Sequence, residues 1–238
     1  MSGAHEASSL IALAGLPNCG KTSLFNALTG SRQKVANYPG VTVERKEGVL
    51  ALSDGRTLRV LDLPGTYSLD ARTPDEAITR DVLLGRVRGE DSPALLIAVA
   101  DATNLERNLG LVLELRDLGV PFVLALNMMD LACRRGLDLD LERLAIELRV
   151  PVVPTVAVNR SGLPELVGAV DAALRSAPKT RAARDWNRPD VASVRARVSE
   201  VDRILATCTR RSTLPALWTE RLDRIFLHPV LEIGRAHV

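Results

Sequence analysis

The sequence predicts an α/β protein: a mostly parallel, six-stranded sheet with helices on both faces, followed by a small C-terminal helical domain. Apolar runs of strand length recur along the chain, and several are continuous rather than alternating, which is typical of buried parallel strands. Stretches with apolar residues at helical spacing separate them, such as NLERNLGLVLELRDLG and GLPELVGAVDAALRS. Strands that alternate with helices of this length form parallel sheets covered on both faces.

The apolar runs are the predicted strands. Between the second and the third run, Asp54-Gly55 predicts a tight hairpin turn, so one edge strand should be antiparallel. In chain order the runs are SLIALAG (9–15), EGVLAL (47–52), TLRVLDLP (57–64), ALLIAVAD (94–101), PFVLALN (121–127) and PVVPTVAV (151–158).

A change of composition marks the end of the sheet-forming part. In SAPKTRAARDWNRPD, residues 176–190, Pro and Arg replace the aliphatic residues. We therefore predict a sheet domain at residues 1–176, a linker at 177–189 and a helical domain at 190–231. The helical domain is predicted from LPALWTERLDRIFLHPVL and from one apolar helix face formed by Val191, Val194, Val198, Val201 and Leu205.

The last residues, EIGRAHV (232–238), fit neither pattern. Their codons can spell a common sequencing-adapter string. We expect this tail to be non-native and the natural chain to continue past Leu231.

Charge and cysteine content narrow the classes of function. The net charge is +2 and 27 of the 31 basic residues are Arg, but acidic and basic residues are interspersed, so no charge run predicts a nucleic-acid surface. The isolated Cys19, Cys133 and Cys208 predict neither a zinc site nor a disulfide, which indicates a reducing cytosol. The N-terminal apolar run is too short for a signal sequence, and no window approaches the roughly 18 apolar residues of a membrane helix.

Residues 15–22, GLPNCGKT, match the phosphate-binding pattern GxxxxGK[ST], directly after a predicted strand and at the start of a predicted helix. Gly15 and Gly20 let backbone N–H groups point at phosphate oxygens. Lys21 should reach the β- and γ-phosphates, and the Thr22 hydroxyl should bind Mg²⁺. The rest of this predicted phosphate loop is Leu16, Pro17, Asn18, Cys19 and Ser23.

The stretch LDLPG supplies the second element. Asp62 closes a predicted strand, and Gly65 follows three residues later. A carboxylate at the end of a neighbouring parallel strand can join the Mg²⁺ shell through water, and the Gly65 N–H can bond the γ-phosphate. This loop can therefore sense which nucleotide is bound.

The base is predicted from NMMD, Asn127 to Asp130, at the end of a strand. The Asp130 carboxylate can accept both N1–H and the exocyclic amino group of guanine, a pair of donors that adenine does not present. Asn127 should brace the phosphate loop and contact the ring, and Met128 is counted among the nucleotide-binding residues. The pattern therefore favours GTP over ATP.

Two further loops complete the predicted site. In TVAVNRSG, the Ala157 N–H can donate to guanine O6, with Val156 and Val158 beside it, where many GTPases read Ser-Ala-Lys. The missing Ser and Lys predict weaker nucleotide retention and faster exchange.

In NYPGVTVERKEG (37–48), Thr42 is the candidate for a mobile segment that closes over Mg²⁺ and the γ-phosphate, with Gly40 and Val41 preceding it.

These elements, in this order, resemble the small translation-factor-like GTPases. The strings GLPNCGKTSLFNALTG, NYPGVTVERKEG, LDLPGTYSL and LDRIFLHPVL look like the cytoplasmic N-terminal region of the bacterial ferrous iron transport protein B family, over roughly residues 9–231. The resemblance implies a P-loop GTPase domain and a helical domain that influences GDP release. It also implies a membrane-embedded Fe²⁺ permease portion of the same polypeptide, placing this region on the cytoplasmic side of the inner membrane. Small accessory proteins of the iron transport system and a homo-oligomer are further implied partners.

The resemblance also implies K⁺ stimulation of hydrolysis. Asn18 occupies the position of a K⁺ ligand of the phosphate loop, and backbone carbonyls of Ala36 and Tyr38 would complete the shell; such a cation can supply the charge of an arginine finger. Thr66 stands where Ras-like enzymes carry a water-orienting Gln, so we expect slow intrinsic turnover. The residues expected to act in hydrolysis are Asn18, Lys21, Thr42, Gly65 and Thr66.

Two alternatives remain at this point. A soluble RNA-associated GTPase of the ribosome-assembly type would share an Asn in the phosphate loop, but it would need an RNA-binding appendage that residues 190–231 do not suggest. A P-loop ATPase is disfavoured by NMMD. The leading prediction is a GTP-hydrolysing regulatory domain of an iron transporter, with no nucleic-acid partner.

Overall fold

The computed structural model describes residues 9–30, 33–176 and 186–211. The strands are β1 (Leu10–Gly15), β2 (Gln33–Asn37), β3 (Glu44–Ala51), β4 (Thr57–Asp62), β5 (Leu95–Asp101), β6 (Phe122–Asn127), β7 (Leu137–Leu139), β8 (Val152–Pro154) and β9 (Thr209–Arg211). The helices are α1 (Lys21–Thr29), α2 (Pro74–Leu83), α3 (Leu105–Asp117), α4 (Met129–Arg134), α5 (Leu141–Leu148), α6 (Leu163–Ser176) and α7 (Val191–Cys208).

The main sheet confirms the predicted α/β architecture and adds one strand. Its order is β2-β3-β4-β1-β5-β6-β8; β1, β4, β5, β6 and β8 are parallel, and β2 and β3 pair antiparallel at one edge. The Asp54-Gly55 turn joins β3 to β4, as predicted. The sheet has seven strands rather than six because Gln33–Asn37 pairs with β3, with Ala36 opposite Arg45.

Both faces of the sheet are covered. Along β1 the side chains alternate: Leu10, Ala12 and Ala14 join the cluster that includes α3 and α5, whereas Ile11 and Leu13 join the cluster that includes α1 and α6. All five side chains are buried. Since β1 is flanked by β4 and β5, the strand that leads into the phosphate loop is buried along its whole length.

The parallel strands end at the same edge of the sheet. There β1 ends at Gly15, β4 at Asp62 and β6 at Asn127. Ligands of open α/β sheets bind in the crevice outside the carboxyl ends of the strands. The fold therefore brings three of the predicted motifs to one place.

The helix α7 packs on α3 and α5. Arg116 pairs with Glu200 at 2.9 Å and Arg203 with Glu147 at 2.7 Å, while Val201 and Ile204 are buried at the contact. The predicted apolar face is only partly buried: Val191, Val194 and Val198 are 68%, 46% and 57% exposed, because α7 contacts α3 and α5 through a face centred on Val201, Ile204 and Cys208.

The predicted domain boundaries stay predictions. Most of the linker, the segment after residue 211 and the tail at 232–238 lie outside the described residues. Within the described ranges, none of the helices combines the length and apolar character that crossing a bilayer requires.

Candidate nucleotide-binding site

The phosphate loop wraps the end of β1 in a tight, left-handed path. Asn18 and Gly20 have φ values of 66° and 84°, a region that glycine adopts freely and other residues rarely. A Cβ added at Gly20 would lie 2.2 Å from Asn127 Nδ2, and one added at Gly15 would lie 2.5 Å from the Val99 carbonyl oxygen. Both glycines are therefore required by close approach, as the motif predicts.

The charged centre of the site is the pair formed by Lys21 and Asp62. Lys21, the first residue of α1, donates its ammonium hydrogen bond to Asp62 Oδ1, and both residues are buried. The Thr22 hydroxyl donates to the other carboxylate oxygen at 3.4 Å. The structure thus brings together three residues predicted from two motifs 40 positions apart.

The loop after β4 is attached to the phosphate loop through the backbone. The Leu63 N–H donates to the Leu13 carbonyl oxygen at 3.1 Å, and the Thr66 N–H donates to the Gly15 carbonyl oxygen at 3.2 Å. The Thr66 side chain is fully buried, and its hydroxyl donates to the Ser68 carbonyl oxygen at 2.7 Å. In this conformation the Thr66 hydroxyl makes its hydrogen bond within its own loop.

Asn127 joins the phosphate loop to the predicted base-binding loops. Its Nδ2 donates to the Cys19 carbonyl oxygen at 3.1 Å, and its Oδ1 accepts from the Ala157 N–H at 3.0 Å and from the Thr155 hydroxyl at 3.4 Å. Because the Ala157 N–H already donates to Asn127, its predicted bond to guanine O6 would have to be shared. The bracing role of Asn127 is the contact that the structure shows most directly.

A left-handed Met128 (φ 61°) turns the chain from β6 into α4 and places Asp130 in the first turn of that helix. Asp130 is partly exposed, and Arg134 lies 3.4 Å from its carboxylate. In the neighbouring loop Val156 and Ala157 are buried and Val158 is 82% exposed. The Asp130 carboxylate is therefore reachable by a base at the edge of the site.

The segment that carries Thr42 is a closed turn between β2 and β3. The Tyr38 N–H donates to the Val43 carbonyl oxygen at 3.0 Å, and the Val41 N–H donates to the Tyr38 carbonyl oxygen at 3.3 Å. Gly40, Val41 and Thr42 are exposed. Across residues 9–30 and 33–176, no hydrogen bond joins Thr42 to the Lys21–Asp62 pair, so the structure does not bring this predicted ligand to the centre.

The turn is held at both ends. On one side the Tyr38 ring is buried; burial raises the pKa of its hydroxyl, which has no hydrogen-bond partner among the described residues. On the other side Arg45 donates to Glu90 and Glu47, and hydrogen bonding from Arg59 lowers the pKa of Glu47. If Thr42 moves, only the residues between Tyr38 and Arg45 would therefore move with it.

The remaining predicted residues fall at the rim or inside the phosphate loop. Asn18 is exposed in the phosphate loop, whereas Ala36 is exposed in β2, two residues before Tyr38. Cys19 is buried, and burial raises the pKa of its thiol to about 11, which suits a small packing residue.

Sequence reasoning missed Thr155 and Thr79, whose hydroxyl groups contact motif residues; no pattern marks these contacts in the sequence.

Comparisons with known proteins agree with this geometry. The family model described as "Ferrous iron transport protein B" matches residues 9–170. The Fe(2+) transporter FeoB of Salmonella typhimurium is 46% identical over 161 residues, 68% of this chain and 21% of that protein. A Porphyromonas gingivalis Fe(2+) transport protein A/Fe(2+) transporter FeoB fusion protein is 47% identical over 156 residues, 66% of this chain and 18% of that protein. The chain thus spans about a fifth of the length of these curated relatives.

Solved structures show the same likeness. The cytosolic domain of the T. maritima FeoB iron transporter in a GDP form has a TM-score of 0.75 at 31% identity, with 85% of this chain and 100% of that chain covered. The G domain of the T. maritima protein alone has a TM-score of 0.64 at 45% identity, covering 70% of this chain and 98% of that one. The cytosolic domain of L. pneumophila FeoB has a TM-score of 0.71 at 30% identity, covering 85% and 100%.

Proposed function

This chain belongs to the ferrous iron transport protein B family, and we propose that it is the GTP-binding and GTP-hydrolysing region of a bacterial Fe²⁺ transporter. The observation that carries the proposal is Asn127, whose amide joins the phosphate loop at Cys19 to the loop at Ala157. One side chain thus holds the phosphate half and the base half of a nucleotide site together. The family assignment leaves the RNA-associated alternative without a supporting observation.

The residues around Lys21 provide the chemistry of phosphoryl transfer. Lys21 supplies a positive charge that stabilises the negative charge of the γ-phosphate oxygens, and the N–H groups of the phosphate loop orient the leaving group. Asp130 selects the base through two hydrogen bonds. Hydrolysis by this set is slow, because the position after Gly65 holds Thr66, whose hydroxyl is bonded to Ser68.

The donor set fits Mg²⁺. The Thr22 hydroxyl and the Asp62 carboxylate lie 3.4 Å apart, and hydroxyl and carboxylate oxygens are the ligands that this hard cation prefers, together with phosphate oxygens. Thr22 would bind the ion directly, Asp62 would act through water, and Thr42 would join when its turn moves. The ion would neutralise charge on the β- and γ-phosphates.

Nucleotide choice tests the proposal. We expect GTP and GDP to bind in the micromolar range and ATP at least about a hundredfold more weakly, because a site that hydrogen-bonds the guanine edge leaves those groups unpaired with adenine. Isothermal titration of the purified chain with each nucleotide measures this. Equal affinity for ATP would refute the assignment.

A K⁺ requirement is the second expected result. Asn18 is exposed in the phosphate loop with a left-handed backbone, so its side chain is available as a cation ligand beside the phosphates. GTP hydrolysis should be faster in KCl than in NaCl, and Asn18→Ala should remove the difference. A matched control is Asn26→Ala, another exposed Asn on the next helix. Equal wild-type rates in the two salts would assign Asn18 a structural role only.

The remaining proposals concern the whole protein. Since the relatives are about five times longer than the matched region, we propose that this chain continues into a membrane-embedded Fe²⁺ permease portion and works on the cytoplasmic side of the bacterial inner membrane. Small accessory proteins and further copies of the chain are proposed partners. Reading the gene past Leu231 tests this directly: a run of membrane helices is expected, and a soluble end would contradict it.

A further inference from the structure

The short segment that follows β4 contains two peptide planes that no backbone hydrogen bond within the described ranges holds, Leu63–Pro64 and Pro64–Gly65. Leu63 is tied to β1 through the bond to Leu13, and Thr66 through the bond to Gly15. Pro64 has no N–H to contribute. Of these two peptide groups, the one that joins Pro64 to Gly65 is therefore the one that has an N–H to offer a ligand.

Thr79 orients that peptide group. Its hydroxyl, on α2, donates to the Pro64 carbonyl oxygen at 2.9 Å, and Thr79 is fully buried. In a trans peptide the carbonyl oxygen and the following N–H point in opposite directions across one rigid plane. A bond that holds the Pro64 oxygen on the α2 side therefore directs the Gly65 N–H away from α2.

The residue whose N–H is directed away from α2 lies beside the phosphate loop. Gly65 lies against Pro17, since a Cβ added at Gly65 would be 3.1 Å from the Pro17 nitrogen and 3.2 Å from its Cα. Among the described residues, no acceptor is recorded for the Gly65 N–H, so this donor is available to a ligand in the phosphate loop. Such a donor suits the terminal phosphate of a nucleoside triphosphate.

The helix that carries Thr79 is itself firmly seated. The Thr73 side chain caps it by accepting from the Glu76 N–H at 3.3 Å, Pro74 opens its first turn, and Val82 and Leu83 are buried. The hydroxyl therefore sits on a rigid element rather than on the loop that it orients.

We propose that Thr79 is a positioning residue that presents the Gly65 N–H to the terminal phosphate, so that the site distinguishes triphosphate from diphosphate. The inference rests on the proposed guanine-nucleotide function and adds to it a residue outside the sequence motifs. Thr79 does not touch the nucleotide; it acts through the Pro64–Gly65 peptide. GDP, which lacks the terminal phosphate, should not depend on it.

The test compares Thr79→Val, which keeps the shape and removes the hydroxyl, with Thr79→Ser, which keeps the hydroxyl. Dissociation constants are measured for GDP and for a non-hydrolysable GTP analogue, with the thermal midpoint alongside. Thr79→Val should weaken analogue binding about fivefold, the factor that one ordinary hydrogen bond represents, while GDP affinity stays unchanged. Thr79→Ser should restore the wild-type ratio of the two affinities.

Thr29→Val is the matched control. Thr29 is also a buried threonine whose hydroxyl donates to a backbone carbonyl, that of Phe25 at 2.8 Å, but it lies at the far end of α1. Its loss should lower the thermal midpoint without changing the analogue-to-GDP ratio. If Thr79→Val is too unstable to purify, Thr79→Ala removes the same hydroxyl without placing a methyl group in its position.

The outcomes separate the two proposals. If the wild-type chain binds neither nucleotide, the proposed function fails. If it binds both and Thr79→Val leaves the ratio unchanged, or weakens both equally with a lower thermal midpoint, the positioning role is overturned while the proposed function stands.

Discussion

Replacing Asp130 with Asn is expected to move the base preference of this chain from guanine to xanthine nucleotides. The Asp130 carboxylate lies in the first turn of α4, where it can accept two N–H groups of guanine. Hydrogen bonds to a charged group contribute about 1.5–3 kcal/mol each, so losing this pair should weaken GTP binding at least about a hundredfold. The new amide can donate to the extra carbonyl of xanthine, so XTP binding should strengthen.

Asp75→Asn provides the comparison. It removes a carboxylate from the first turn of α2, the same kind of helix position, without altering the predicted base contact. Any effect of helix-terminus charge appears in both variants, whereas the exchange of base preference should appear only in Asp130→Asn. Unaltered GTP affinity in Asp130→Asn would place the base elsewhere on the protein.

Replacing Lys21 with Met should abolish most of the hydrolysis. The substitution keeps the apolar stem and removes the charge that lies against Asp62. Loss of one preorganised charge at a phosphoryl group should lower the rate about a hundred- to a thousandfold. Single-turnover hydrolysis of radiolabelled GTP measures the effect, and Lys34→Met, at an exposed position on β2, is the control.

The same substitution leaves a buried carboxylate without its partner. Breaking such a pair by removing one member typically costs about 3–5 kcal/mol of stability, so Lys21→Met alone could lose activity by unfolding. The double variant Lys21→Met/Asp62→Asn carries no unpaired charge and should recover much of the lost stability while remaining inactive. Hydrolysis that returns together with stability would show that Lys21 acts on folding rather than on phosphate.

Much of the fold could be predicted because buried parallel strands leave a plain signal. β1, β5 and β6 are continuous apolar runs, and the motifs that follow β1 and β6 predicted where a ligand would lie. β2 was missed because QKVAN is polar and mostly exposed, and its strand structure comes from pairing with β3. A residue pattern carries little information about an edge strand of this kind.

The candidate site was predictable in its motifs but not in its supporting contacts. Lys21 and Asp62 come from two predicted motifs and meet because β1 and β4 are parallel strands that end at one edge, although their ion pair itself was not predicted. The contacts of Thr155 and Thr79 could not be predicted. Each is a single hydrogen bond from a hydroxyl group to a residue distant in sequence, Asn127 and Pro64 respectively. The hydrogen bond from the Ala157 N–H to Asn127 likewise forms because the end of β6 meets the loop after β8.

If Thr42 is the metal ligand that we propose, the closed turn between Tyr38 and Val43 would weaken triphosphate binding. In that proposal, Thr42 would reach the metal and the γ-phosphate only after the backbone hydrogen bonds of this turn rearrange. The measured affinity is then the intrinsic affinity multiplied by the fraction of molecules already open, so an open fraction of about one in a hundred would weaken GTP binding about a hundredfold. GDP would not need the turn to open under this proposal, so the resting protein would favour the diphosphate.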